Sequence, residues 1–72
     1  MATGMNTGMR DEHYDIISTL YHALQGAETT TQYINDAEQE GDSEAIDFFK
    51  EVQDHNRQIA ERAKRLLAQR VK

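Results

Sequence analysis

Residues 37–47 read AEQEGDSEAID, and this short stretch decides the fold. Gly41 suits the left-handed backbone position just past the end of a helix, where a Cβ would clash. Asp42 or Ser43 can cap the helix that follows, and Glu44 and Asp47 bring negative charge to its first turn, where the helix dipole favours it. A connection of only about three residues forces two helices to run antiparallel. Residues 41–43 therefore read as the turn of a hairpin.

Both flanks of that turn carry apolar residues at helical spacing, and the 72-residue chain contains no proline. Upstream, Ile17, Leu20, Leu24, Ala27, Thr31 and Ile34 recur in alternating steps of three and four. They form one stripe of a helix over about residues 11–40, with Asp11 as its N-cap and Glu12 and Asp15 in its first turn. Downstream, Ala45, Phe49, Val52, Asn56, Ile59, Ala63 and Leu66 form the stripe of a second helix over about residues 44–70, widened by Phe48 and Leu67. The expected fold class is all-α, an antiparallel two-helix hairpin. Residues 1–10 show no periodicity and are expected to form a flexible tail, leaving 11–72 as the single domain.

The net charge of −5 hides an asymmetry. Residues 11–54 hold twelve Asp and Glu against Lys50 alone, whereas residues 57–72 hold six Lys and Arg against Glu61 alone. Folding the hairpin lays the acidic start (Asp11, Glu12, Asp15) beside the basic end (Arg65, Arg70, Lys72), which accounts for the asymmetry without a partner. A chain acidic over most of its length is a poor ligand for phosphate backbones, so no nucleic-acid partner is expected. No apolar run approaches the roughly 20 residues needed to cross a bilayer, and residues 1–9 lack the features of a signal peptide. A cytoplasmic setting is expected. With no cysteine, disulfides and thiolate zinc sites are excluded.

A domain of this size buries only about 60% of the surface its unfolded chain exposes, and small scaffolds lacking disulfides turn to a metal or to oligomerisation. The first helix also has a second face of small residues: Ala23, Gly26, Ala27, Thr30 and Ala37. Gly26 costs about 1 kcal/mol relative to alanine in a helix interior, and the β-branched run Thr29-Thr30-Thr31 disfavours helix further. Those penalties suggest close helix approach, expected here between copies. Two hairpins pairing into a four-helix bundle would bury both apolar faces, so a homo-oligomer, a dimer, is expected.

Three polar features lie near the seam: Glu28, the pair Glu51 and His55 one turn apart, and Asn56. In a hairpin folded at Gly41–Asp42, residues whose numbers total about 83 lie level. Glu28 is then level with His55, and Glu51 is one turn away. Two carboxylates and an imidazole at one level are a ligand set suited to iron, manganese or zinc. The competing reading is polar residues packed at a helix interface, with Asn56 setting the register as buried Asn does in coiled coils. His13 and His22 are level neither with each other nor with His55. The acids crowding the hairpin tip do not follow the ligand order of a calcium loop. No glycine-rich phosphate loop, Ser/His/Asp set or cysteine nucleophile is present, so no catalytic residue is expected.

The stretch Leu20-Tyr21-His22-Ala23-Leu24-Gln25-Gly26-Ala27-Glu28, with Phe48-Phe49-Lys50-Glu51-Val52-Gln53-Asp54-His55-Asn56 and Ala60-Glu61-Arg62-Ala63-Lys64, resembles one helical pair of a ferritin-like, rubrerythrin-type protein. It is similar as well to small bacterial proteins of helical-hairpin type. The resemblance implies a half-bundle completed by a second hairpin, with iron or manganese held between helices by Glu28, Glu51 and His55. That family carries Glu-x-x-His on its second helix. Here Val52 stands three residues before His55 and Glu51 four before, so Glu51 would serve only with rotated geometry. The leading expectation is a self-associating interaction or scaffold module with no cofactor. The alternative is a ferritin-like metal-binding protein.

Overall fold

The structure, a computed structural model, describes residues 11–70. Helix α1 spans Asp11–Glu40 and helix α2 spans Ser43–Arg70, packed against each other as an antiparallel hairpin, with no strand among the described residues. The expected tail over residues 1–10, the side chain proposed as the first N-cap (Asp11) and the basic Lys72 lie outside what is described. The hairpin is a rod of 48 × 23 × 15 Å, its long edge set by the roughly 1.5 Å rise per residue of a 30-residue helix.

The turn is built as its sequence demands. Gly41 has φ of +69°, its N–H donates to the Glu38 carbonyl (3.1 Å), and the Asp42 N–H donates to the Ala37 carbonyl (3.0 Å). These paired bonds satisfy two carbonyls that the end of α1 leaves open. Asp42 also opens α2. Its Oδ1 accepts the Ala45 N–H (3.1 Å) and its carbonyl accepts the Ile46 N–H (3.0 Å). One residue closes the first helix and caps the second, so the connection has no slack.

The two helices meet in the expected register. Glu12 faces Arg70, Gly26 faces Asn56 and Tyr33 faces Phe49, pairs whose numbers share one total, within one of that expected. The acidic start and basic end do lie together, with Arg70 Nε 3.0 Å from Glu12 Oε2. Both side chains are substantially exposed, so the pair adds at most about 1 kcal/mol.

The face that α1 turns inward differs from the expected stripe. The buried residues of α1 are Ala23, Ala27, Thr30 and Ala37, with Ile16, Leu20 and Ile34 half-buried beside them. The column Ile17, Leu24, Thr31 is left exposed. On α2 the seam is Phe49, Gln53, Asn56, Ala60, Ala63 and Leu67, with Gln53, Ala60 and Ala63 fully inside. Compared with the sequence stripes, each helix keeps part of its expected face and turns a neighbouring column into the contact.

Close approach explains the choice. A Cβ added to Gly26 would stand 2.9 Å from Asn56 Nδ2 and 3.4 Å from Asn56 Cγ, so any larger residue here must push the end of the Asn56 side chain aside. The small face was expected to join separate copies. It lies instead inside the hairpin, where Ala23, Ala27, Thr30 and Ala37 of α1 are buried together with Ala60 and Ala63 of α2.

Candidate functional site

Close packing of small residues has a consequence for the large ones. The core of the described chain consists of five alanines, Ala23, Ala27, Ala37, Ala60 and Ala63, and no large side chain is fully buried. Tyr21 and Phe48 are 59% and 58% exposed, and Ile17, Leu24, Tyr33 and Leu66 lie between 37% and 46%. Burying a side chain of Leu, Ile or Phe size stabilises by roughly 1.5–3 kcal/mol, so the hairpin leaves much of its driving force unused.

These exposed groups fall on two sides. A run of shallow open grooves follows one broad face along α2. Near the open end, Ile59, Arg62 and Leu66 face Asp15, Ile16 and Thr19 of α1 across a groove of about 300 Å³. In the middle, Phe48, Glu51, Val52 and His55 line the surface beside Asn56. At the turn, Phe49 and Ala45 border Tyr33 and Ala37, with the Tyr33 and Phe49 rings 5.5 Å apart and Phe48 5.4 Å from Phe49. Gly26 and Asn56 mark this face in the seam. The column Ile17–Leu24–Thr31, seven residues per step, lies on the other face, marked by the Thr31 hydroxyl that accepts a bond from Gln53.

Gln53 is the polar contact that reading for apolar stripes missed. Its Nε2 donates to the Ala27 carbonyl (2.8 Å) and to Thr31 Oγ1 (2.9 Å), and the side chain is buried. Two of the awkward threonines gain a purpose from this packing. Thr31 receives Gln53, and the buried Thr30 hydroxyl donates to the Gly26 carbonyl (2.6 Å) one turn back. The signal for Gln53 was present, since 49, 53, 56, 60, 63 and 67 follow steps of four and three. Asn56, expected to set the register, meets Gly26 by shape, and the hydrogen bonds between the helix interiors fall to Gln53.

The three candidate metal ligands are all exposed. Glu51 and His55 share a groove on the Asn56 face, as their spacing of four implies. Glu28 is level with His55 but stands four residues after Leu24 and three before Thr31, on the side that turns away from that groove. One chain therefore brings together two of the three, and among the described residues no group of three or more His, Asp or Glu is placed to hold a metal ion. A site using all three draws Glu28 from another copy. At the tip, Asp42 is occupied in capping α2 while Glu38, Glu40, Glu44 and Asp47 are exposed. His22 stacks edge-on against Tyr21, ring centres 5.4 Å apart.

No protein-family model, curated protein or solved structure matches the chain. Among the described residues, no helix is long and apolar enough to cross a membrane.

Proposed function

We propose that this chain is a self-associating helical hairpin that serves as an interaction or scaffold module, with the cytoplasmic setting expected from its sequence. The observation that supports this reading is the inverted distribution of side chains: alanines inside, and Ile, Leu, Tyr and Phe on two surface strips. An isolated hairpin gains nothing from large apolar groups held in water, whereas a hairpin that docks on another helical surface gains about 25 cal/mol for each Å² it covers. The architecture is that of half a four-helix bundle. Sedimentation equilibrium of the full chain tests the reading: masses at multiples of 8.3 kDa are expected at micromolar concentrations. A folded, purely monomeric species at millimolar concentration overturns it.

A second reading, a ferritin-like iron or manganese site, draws on one observation, the shared groove of Glu51 and His55. It requires Glu28 to arrive from a neighbouring copy. Elemental analysis of protein prepared without chelator separates the two: stoichiometric metal, lost in Glu28→Ala, His55→Ala and Glu51→Ala alike, would place this reading first.

A further inference from the structure

We infer that the groove face of α2 docks on the same face of a second copy, the two α2 helices running antiparallel about a two-fold axis at the level of Arg57. This inference rests on the self-association proposed above and adds the surface and its orientation.

The apolar residues of that face, Phe48, Val52, Ile59 and Leu66, span about five turns, and all lie against grooves on one side of the hairpin. Their flanking charges are divided. On α2, Glu51 lines the groove in the N-terminal half with Glu44 seven residues before it, and Arg62 lines it in the C-terminal half, where Asp15 of α1 borders the same groove. Turning one helix end for end about Arg57 sets Phe48 level with the second copy's Leu66 and brings Glu51 to within a residue of the level of its Arg62. Glu44 then approaches the second copy's basic end. Parallel pairing would instead put Glu51 on Glu51 and Arg62 on Arg62. The α2 charges are therefore complementary to themselves in one orientation, which is the requirement for a two-fold interface.

The strip of Ile17 and Leu24 lies on the opposite face, marked by the Gln53–Thr31 bond, away from these grooves. Size is adequate too. A face of 48 × 23 Å can supply the roughly 800 Å² per partner that stable interfaces bury.

Sedimentation equilibrium on the full chain, with circular dichroism to confirm unchanged helix content, decides the matter. Phe48→Glu is expected to raise the dimer dissociation constant at least about tenfold, and Leu24→Glu to leave it within about twofold. Glu51→Arg and Arg62→Glu should each weaken the dimer about two- to tenfold, since each change acts twice in a two-fold pair. The double variant Glu51→Arg/Arg62→Glu should return close to the wild-type value. All four groups are on the surface, so the charge exchange remains informative even if Phe48→Glu misfolds. A double variant as weak as the two single changes combined overturns the antiparallel pairing. So does a dimer broken by Leu24→Glu and indifferent to Phe48→Glu. A wild-type chain that never dimerises removes the underlying reading itself, a result distinct from both.

Discussion

Replacing Gln53 by glutamate exchanges one nitrogen for one oxygen and should be among the most damaging surface-neutral changes available to this hairpin. The Gln53 Nε2 donates two bonds, 2.8 Å to the Ala27 carbonyl and 2.9 Å to Thr31 Oγ1, from a position only 8% exposed. A carboxylate accepts and cannot donate, so it faces the Ala27 carbonyl oxygen with like partial charge. The two lost bonds are worth about 0.5–1.5 kcal/mol each. An unpaired charge held in the seam adds at least a further 1–3 kcal/mol. Together these reach about 3 kcal/mol or more at pH 7, a large share of the stability of so small a domain. Gln53→Leu is the control. It removes the same bonds but leaves no charge, and the Ala27 carbonyl stays within the ladder of α1, so it should cost only the bonds themselves, about 1–3 kcal/mol. The sign with pH follows from linkage. Folding favours the neutral acid, so the folded state holds the proton more tightly. The penalty is therefore absent below the ordinary glutamate value of about 4.3 and grows as pH rises above it. Urea titrations followed by circular dichroism, at one protein concentration for all variants, supply the assay. Gln53→Glu falling within about 0.5 kcal/mol of Gln53→Leu at pH 7, with no recovery on acidification, would refute the argument that this amide is a buried donor.

Three further outcomes follow from the packing. Gly26→Leu should destabilise the hairpin itself, by about 1–3 kcal/mol or more, because even a Cβ stands 2.9 Å from Asn56 Nδ2. A variant with unchanged urea midpoint and a weakened dimer would return this face to the intermolecular role the sequence suggested. Gly41→Ala should cost about 1–2 kcal/mol through the left-handed backbone at φ +69°, although open space surrounds the missing Cβ; thermal unfolding measures it, and an unchanged midpoint refutes it. Phe49→Ala should cost about 2 kcal/mol, less than the 3–5 of a fully enclosed phenylalanine, because the ring is half-buried against Tyr33 and Phe48. Chemical denaturation reads the value, and a loss above about 5 kcal/mol would mean the ring is enclosed by something beyond its own chain.

Much of the fold was legible because its signals are local. Gly41 and Asp42 act through their own backbone and their own side chain, so no knowledge of the rest of the molecule is needed to place the turn. Register followed from the turn, since a connection without slack leaves one way to count back along each helix. The candidate metal ligands were harder. Their level could be counted, but their direction depends on how each helix is rotated about its own axis. An error of one residue there turns a side chain by about 100°. Glu28 and His55 are level, yet they point to different faces.

That rotation is what the sequence leaves open. Ile16–Ala23–Thr30–Ala37 and Ile17–Leu24–Thr31 are neighbouring columns, each with a seven-residue step, and a search for large apolar residues prefers the second. A seam is selected by how closely two backbones can approach, and that depends on both helices at once. Ala60, Ala63 and the Asn56 side chain on α2 leave room for alanine and glycine columns on α1, and Gln53 then reaches a backbone carbonyl that a wider separation would withdraw. Choosing the small column inside sends the large column outside. The exposed Ile17 and Leu24 and the exposed Phe48 and Leu66 are therefore not incidental surface residues but the complement of a close-packed interior. A substitution that enlarged the seam would be expected to alter both faces together. For a hairpin of this kind, the surface offered to a partner is set by the smallest residues of the core.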